Sequence, residues 1–319
     1  MRAFIRYLIL LLLSAGNASA EGIKITAKQA LINMTKAMKD LNYEGTVAFF
    51  RNGKLETMKY FHAAKDGTEQ ERLLSLNSPL REVVRTADRV SCQFKESHQI
   101  LVDYRPYEHS FLVDLPKNLD GLEKVYDFEI AGEEDIAMLP SYVVAIHPKD
   151  EFRYDRKVWI EKQKFLPLKV AVYDFSGETL EQVVFTDQEV KDKLAFVNVQ
   201  LPKGRVKTNQ FHSLGHQFSE QAPFIVTNMP SGFHEIFFTQ SPMRNSEQPV
   251  NHLVLSDGFS IVSVYMEHKN SAIEPGMHSV GATNTYSRIL DDYLITVMGE
   301  VPASTVKTIA ESVKLKNSN

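Results

Sequence analysis

Between residues 26 and 41 apolar positions recur every third and fourth residue, at Ala27, Ala30, Leu31, Met34, Met38 and Leu41, the stripe of a helix with one buried face. Thr26 stands where a hydroxyl can cap it. The period then drops to two. YEGTVAFFR and KLETMKYFHA flank Asn52-Gly53, the dipeptide that most readily supplies the positive φ angles of a two-residue hairpin. From there to about residue 201 come short alternating runs: LLSLN, REVVRTA, RVSCQF, YVVAIHP, YDRKVWIE, LPLKVAVYD and LEQVVFTD. Their hairpin-length connections predict one antiparallel meander. DFSG at 174–177 closes one hairpin, and Pro167 sits at a strand entrance, where its missing N–H does least damage. The stretch 110–137, interrupted by Pro116, Gly121 and Gly132, is expected to hold loops and one short helix.

Beyond Leu201 the alternation stops. PKGRVKTNQFHSLGHQFSEQA is polar, carries two glycines and has no apolar period, so it reads as a linker. PFIVTNMPSGFHEIFFTQ, HLVLSDGFSIVSVYMEH and YLITVMGEV then supply three or four strands, and Val306, Ile309, Ala310 and Val313 form the stripe of a last helix opened by Pro302 and Ser304. The predicted division is a leader over 1–20, a large β domain over 21–202, a linker over 203–222 and a small α+β domain over 223–319.

The strand around residue 170 is apolar on both sides. Leu168, Val170 and Val172 point one way, and Ala171 and Tyr173 the other, beside Trp159 and Phe185. The helix over 26–41 can close one face. Curling of the sheet, a partner chain such as a second copy in a homodimer, or an acyl ligand can close the other. Each large apolar side chain left open forfeits roughly 1.5–3 kcal/mol, so long exposure of these aromatics is excluded. Either they fill the barrel interior or they line a cavity for lipid.

MRAFIRYLILLLLSAGNASA has the basic start, short apolar core and A-x-A end of a secretory leader, with Glu21 as the expected first mature residue. Its apolar core is too short to span a bilayer. Removing it changes Lys+Arg against Asp+Glu from 36 against 40 to 34 against 40, about six net negative charges, which excludes a nucleic-acid partner. Cys92 is the only cysteine, so an exported chain has no internal disulfide and relies on packing. In RVSCQF it reads as a small packed hydrophobe.

Signatures of catalysis are missing. No nucleophile elbow, phosphate-binding loop, dinucleotide turn, paired-cysteine zinc site or calcium loop occurs. His212 and His216 have the spacing of a zinc pair, but no Glu follows the first and Gly215 disfavours a helix, so solvated linker histidines are the plainer reading. Glu133, Glu134 and Asp135 in EEDIA are read as a solvated loop. No cofactor, metal or catalytic residue is assigned. Basic residues say more. Arg81 and Arg85 share a strand face, and Arg153, Arg156 and Lys157 crowd FRYDRK, where they can grip phosphate or an acidic partner segment, or else make cross-strand ion pairs to Glu82 or Asp155.

LNYEGTVAFFRNGKLETMKYFHA, PLREVVR, RYDRKVWIEKQKFLPLKVAVYDFSGETLEQ, LVLSDGFSIVSVYME and MGEVPASTVKTIAESVK, in that order, resemble the RseB/MucB family of regulators of the envelope-stress sigma factor. The likeness spans nearly all of the mature chain; 111–138 and the linker match loosely. It implies an N-terminal LolA/LolB-like open β-barrel with helices at its concavity, a smaller C-terminal α+β domain and a periplasmic location. It also implies binding of the periplasmic part of an RseA- or MucA-type anti-sigma factor, protection of it from site-1 proteolysis, and release by lipopolysaccharide or another acyl-chain ligand. On that reading Met58, Tyr60, Trp159 and Tyr173 are candidates for the lipid cavity. Arg81, Arg85, Ser256, Asp257, Gly258 and Phe259 are candidates for the partner, although a plain turn between strands is the simpler reading of Ser256-Asp257-Gly258. A lipid or lipoprotein carrier without signalling is the chief rival; an envelope hydrolase is the remote one.

Overall fold

The computed structural model describes residues 25–316 except 88, 95–98, 104–109, 114, 116–118, 199–205, 210–221, 243–248 and 270–273. The leader, His212 and His216 lie outside the described residues. Helix α1, Ala27–Asp40, starts as its stripe predicts: Thr26 Oγ1 accepts the Gln29 N–H at 3.1 Å, and Ala27, Ala30, Leu31, Met34 and Ala37 are buried. Its chain then enters β1 (Asn42–Arg51) and β2 (Lys54–Lys65), turning at Asn52 and Gly53 with φ of 55° and 69°.

The first domain continues with β3 (Thr68–Ser75), β4 (Arg81–Arg85), β5 (Val90–Phe94), β6 (Gln99–Asp103), β7 (Tyr126–Ile136), β8 (Leu139–Pro148), β9 (Asp155–Glu161), β10 (Pro167–Tyr173), β11 (Thr179–Lys191) and β12 (Val206–Asn209). These make one open twelve-stranded sheet in the order β12-β6-β5-β4-β3-β2-β1-β11-β10-β9-β8-β7. The strands do not run as a single meander. β11 returns to pair with β1 at the middle of the sheet, and β12, inside the stretch read as linker, adds in parallel to β6. Alternation along each strand carries no information on such returns. The register of β1 on β11 shifts between Thr46 and Val47, next to Gly45, where a Cβ would come 2.2 Å from the Asp187 carbonyl oxygen. Within 110–137 the short helix is a single 3₁₀ turn, Leu122–Lys124, but residues 126–136 form β7 rather than a loop. The acidic run therefore lies on a strand, with Glu133 paired to Lys162 and Glu134 to the Trp159 indole.

The second domain holds a two-stranded pair, β13 (Phe224–Val226) with β20 (Val313–Leu315), and a six-stranded sheet, eight strands where three or four are expected. That sheet comprises β14 (His234–Pro242), β15 (Pro249–Ser256), β16 (Ile261–His268), β17 (Gly276–Val280), β18 (Thr283–Leu290) and β19 (Tyr293–Gly299), in the order β14-β15-β16-β19-β18-β17. Helix α2, Ala303–Ser312, lays Val306, Ile309 and Ala310 against Leu253, Leu255, Val262, Val264, Ile295 and Val297. This core is separate from those of the first domain.

The large sheet covers its two faces differently. On the inner face α1 and the segment around Leu119–Val125 bury Val144, Ile146, Val158, Ile160 and Val170. On the outer face Trp159, Ala171 and Val143 form a small cluster with Ile136 and Tyr173, and lysine stems lie over it: Lys169 Nζ is 4.1 Å from the Trp159 ring centre and Lys157 Nζ is 5.5 Å from that of Tyr173. Phe185 departs from expectation. Val183 pairs with the inward Val170, so Phe185, two residues on, also turns inward, where it packs edge-on against Tyr60 at 5.7 Å.

Candidate functional site: an interdomain cleft and a recess beside it

The four residues proposed for a lipid cavity do not come together. Met58 and Tyr60 are buried in an inner-face core with Tyr43, Val47, Leu73, Leu166 and Phe185, whereas Trp159 and Tyr173 belong to the outer-face cluster. Counting alternation strand by strand does not relate the faces of β2 and β9, because their link runs through the β1–β11 pairing and its bulge.

An ionic network sits beside Tyr60. Glu71, 1% exposed, accepts from the Tyr60 hydroxyl (2.8 Å), Arg85 Nε (2.8 Å), Ser110 Oγ (2.5 Å) and the Phe111 N–H (2.9 Å). Arg85 also reaches Glu69 at 3.4 Å, and Glu69 lies 3.5 Å from His62 Nε2, whose Nδ1 donates to the Leu41 carbonyl at 2.7 Å. Burial tends to lower the Arg85 pKa, but Glu71 outweighs it and the guanidinium is held charged. The hydrogen bond from His62, then the charge of Arg85, holds the Glu69 carboxyl below its ordinary range. Burial raises the pKa of both Tyr43 and Tyr60. Next to this network a recess of about 330 Å³ opens between α1 and the sheet, with Ile32, Met38, Val113, Leu115 and Leu119 as apolar wall and Lys36 and Lys39 at its rim.

Arg85 is thus an interior ion-pair residue, with partners other than Glu82, which takes Arg72. Arg81 pairs with Glu56 through Nη2, and its buried Nε has no partner among the described residues. The signal for Glu71 was present: it shares strand parity with Leu73, so a carboxylate on the apolar face of TEQERLLS had to find partners inside.

The Ser256–Phe259 turn reads as a turn and more. Ser256 Oγ accepts from the Gly258 N–H, and Asp257 Oδ1 from those of Phe259 and Ser260. Asp257 Oδ2 accepts from Arg153 Nε (2.5 Å) and the Tyr126 hydroxyl (2.8 Å), and both members of the ion pair are fully buried. Phe259 enters the first domain's core, 5.1 Å from the Tyr126 ring. These residues therefore face the other domain, which fills the surface expected for a partner. Arg153 also donates to the Ser231 carbonyl and lies 4.9 Å from the Phe233 ring centre. Further along the joint, Asn284 Nδ2 donates to the Tyr154 hydroxyl (2.9 Å), the Thr305 hydroxyl to the Phe152 carbonyl (2.8 Å) and Arg51 to Glu300 (3.0 Å). Gly281, at φ +60°, presses its turn on Asn52 so closely that a Cβ would lie 2.1 Å from Oδ1.

Alongside this joint lies a half-open cleft of about 550 Å³ bounded by both domains. The inner face contributes Phe49, Val170, Val172 and Val183; the second sheet contributes Ile261, Tyr265 and Met298; Ser110–Val113 forms a third side. Ser110 and Val113 also line the recess beside α1, so one short strap separates the two spaces. Among the described residues no group of three or more His, Cys, Asp or Glu is arranged to hold a metal ion. Burial raises the pKa of the Cys92 thiol, the opposite of what activates a nucleophile.

An open half-barrel locked to a second sheet domain, with a cleft between them, defines a two-domain binding protein. The MucB/RseB N-terminal domain model matches residues 26–208 and the MucB/RseB C-terminal domain model residues 219–314; the chain belongs to the MucB/RseB family. It is 29% identical to the sigma-E factor regulatory protein RseB of Salmonella typhimurium over 95% of this chain and 94% of that one. To the sigma factor AlgU regulatory protein MucB of Pseudomonas aeruginosa it is 28% identical over 96% of each. The MucB fold in the solved Pseudomonas aeruginosa MucA/MucB complex matches with a TM-score of 0.71 at 24% identity, over 92% of this chain and 99% of that one.

Proposed function

We propose that this chain is a periplasmic regulator that binds the periplasmic part of a MucA- or RseA-type anti-sigma factor, shields it from site-1 proteolysis and so restrains a sigma-E-type response. What carries the reading is that both family domains occur in one chain and are locked through Arg153–Asp257 so as to bound a cleft that neither forms alone. It works by covering a polypeptide and breaks no covalent bond. A carrier without signalling has no use for that second wall. The experiment is protection: the protein from Glu21 onward is mixed with a MucA-type periplasmic domain and challenged with site-1 protease. Cleavage slowed in proportion to complex formed is the expected result; unchanged cleavage with no complex sinks the reading.

The same regulator answers lipopolysaccharide or another acyl-chain ligand, taken up by the recess beside α1, which combines an apolar wall with Lys36 and Lys39 at its mouth. Ser110–Val113 then gives a physical route between ligands, since a lipid that displaces the strap reshapes the cleft. By linkage the anti-sigma segment must weaken lipid binding by the same factor. Calorimetric titration of lipid with and without the anti-sigma domain reads that factor; equal affinities would remove the link.

A further inference from the structure

Charge in the interdomain cleft is unevenly settled. Glu181 and Glu300 share the one guanidinium of Arg51; burial, then the charge of Glu300, raises the Glu181 pKa, and its buried Oε1 has no partner among the described residues. Arg156, one strand beyond Val172 from Glu181, makes no hydrogen bond or ion pair with any described residue, and its buried Nε has no acceptor. The alternation of β9 explains its isolation. Arg153, before the strand, is used in the domain joint, and Lys157 faces outward over Tyr173, while Arg156 stands on the inner face in line with Val158 and Ile160. A buried donor left unpaired carries an uncompensated desolvation penalty, so the position favours an arriving acceptor, and a carboxylate fits the fork of a guanidinium.

The rest of the wall says what carries the carboxylate. Tyr265 and Thr283, on the Met298 side of the second sheet, turn hydroxyls able to hydrogen-bond into the cleft. A fatty chain would leave those groups dry and unmatched; an extended polypeptide brings carbonyls and N–H groups at every residue. We propose that the cleft seats an extended, acidic polypeptide segment whose Asp or Glu side chain is gripped by Arg156, with apolar neighbours packed on Val172 and Met298. This rests on the reading that the partner is an anti-sigma polypeptide and assigns it a place and a charge.

The test uses the full chain from Glu21 and a MucA-type periplasmic domain, with affinity measured by titration at low and high salt. Arg156→Ala is expected to weaken binding about tenfold or more, equivalent to about 1.4 kcal/mol, and to flatten the salt dependence. Lys157→Ala, next along the strand on the outer face, is expected to bind like the parent. Since Arg156 makes no hydrogen bond or ion pair among the described residues, Arg156→Ala is expected to melt with the parent, which separates lost binding from lost fold. Parent and Arg156→Ala binding within twofold overturns the assignment alone; failure of the parent to bind overturns the proposed function with it. Binding of palmitate that disappears in Arg156→Ala while the polypeptide still binds identifies the cleft as a lipid seat and also overturns it.

Discussion

Asp257 shows how one carboxylate can be asked to do two things. Oδ1 closes the turn between β15 and β16, and Oδ2 neutralises Arg153 where both are out of reach of water. Asp257→Asn keeps the shape and much of the turn but takes one of two carboxylates from the buried guanidinium, leaving it with the partly exposed Asp150. Breaking such a pair from one side costs about 3–5 kcal/mol. The urea midpoint of Asp257→Asn should fall accordingly, and Arg153→Met combined with Asp257→Leu should recover part of the loss; a single substitution within about 0.5 kcal/mol of the parent would mean the pair is not dry. Glu69 supplies a pH signature. Its folded pKa lies below the ordinary 4.5, so its contribution is present above that pH and lost as pH falls through the lower, folded value. Glu69→Gln should therefore lose less stability than the parent between pH 5 and pH 3, measured by urea unfolding at each pH.

Among the elements, the strap at 110–113 depends on β3, because the Phe111 N–H and Ser110 Oγ both end on Glu71. Replacing Glu71 by Gln removes the negative charge that holds Arg85 and weakens both strap contacts. Hydrogen exchange should show the Phe111 amide losing protection while α1, anchored by its own buried Leu31 and Met34, keeps it. Unchanged protection at Phe111 would mean that something other than Glu71 holds the strap. The legibility of the chain follows the same division between local and distant causes. Helix α1, the Asn52-Gly53 turn and α2 were readable because cap, period and turn chemistry are written within a few residues. The return of β11 to β1 was not, and with it went the facing of Phe185 and the supposed convergence of Trp159 with Tyr60. The crowded basic run at 152–157 was visible as unusual, but its division among joint, cleft and outer face depends on where strand β9 begins.

Over the whole molecule, each domain has its own core, so the chain could in principle unfold in two steps. The joint argues otherwise. Phe259 of the second domain is 6% exposed and packs among Tyr126 and Phe128 of the first, beside the dry Arg153–Asp257 pair. Pulling the domains apart exposes that ring and gives up the hydrogen bonds of the joint, while both charges regain water, so the coupling comes chiefly from the buried Phe259, about 3–5 kcal/mol. Calorimetry of the parent should thus give one transition whose measured and van't Hoff enthalpies agree. Phe259→Ala removes the plug at about 3–5 kcal/mol. Adding Asp257→Asn removes the counter-charge as well, and the transition should then split in two, with α2 and its sheet melting apart from the half-barrel. A double variant that still melts once, with both enthalpies equal, would show that the contacts of Tyr154, Thr305 and Arg51 suffice to couple the domains. The cleft would then keep its shape even when its neighbouring joint is broken.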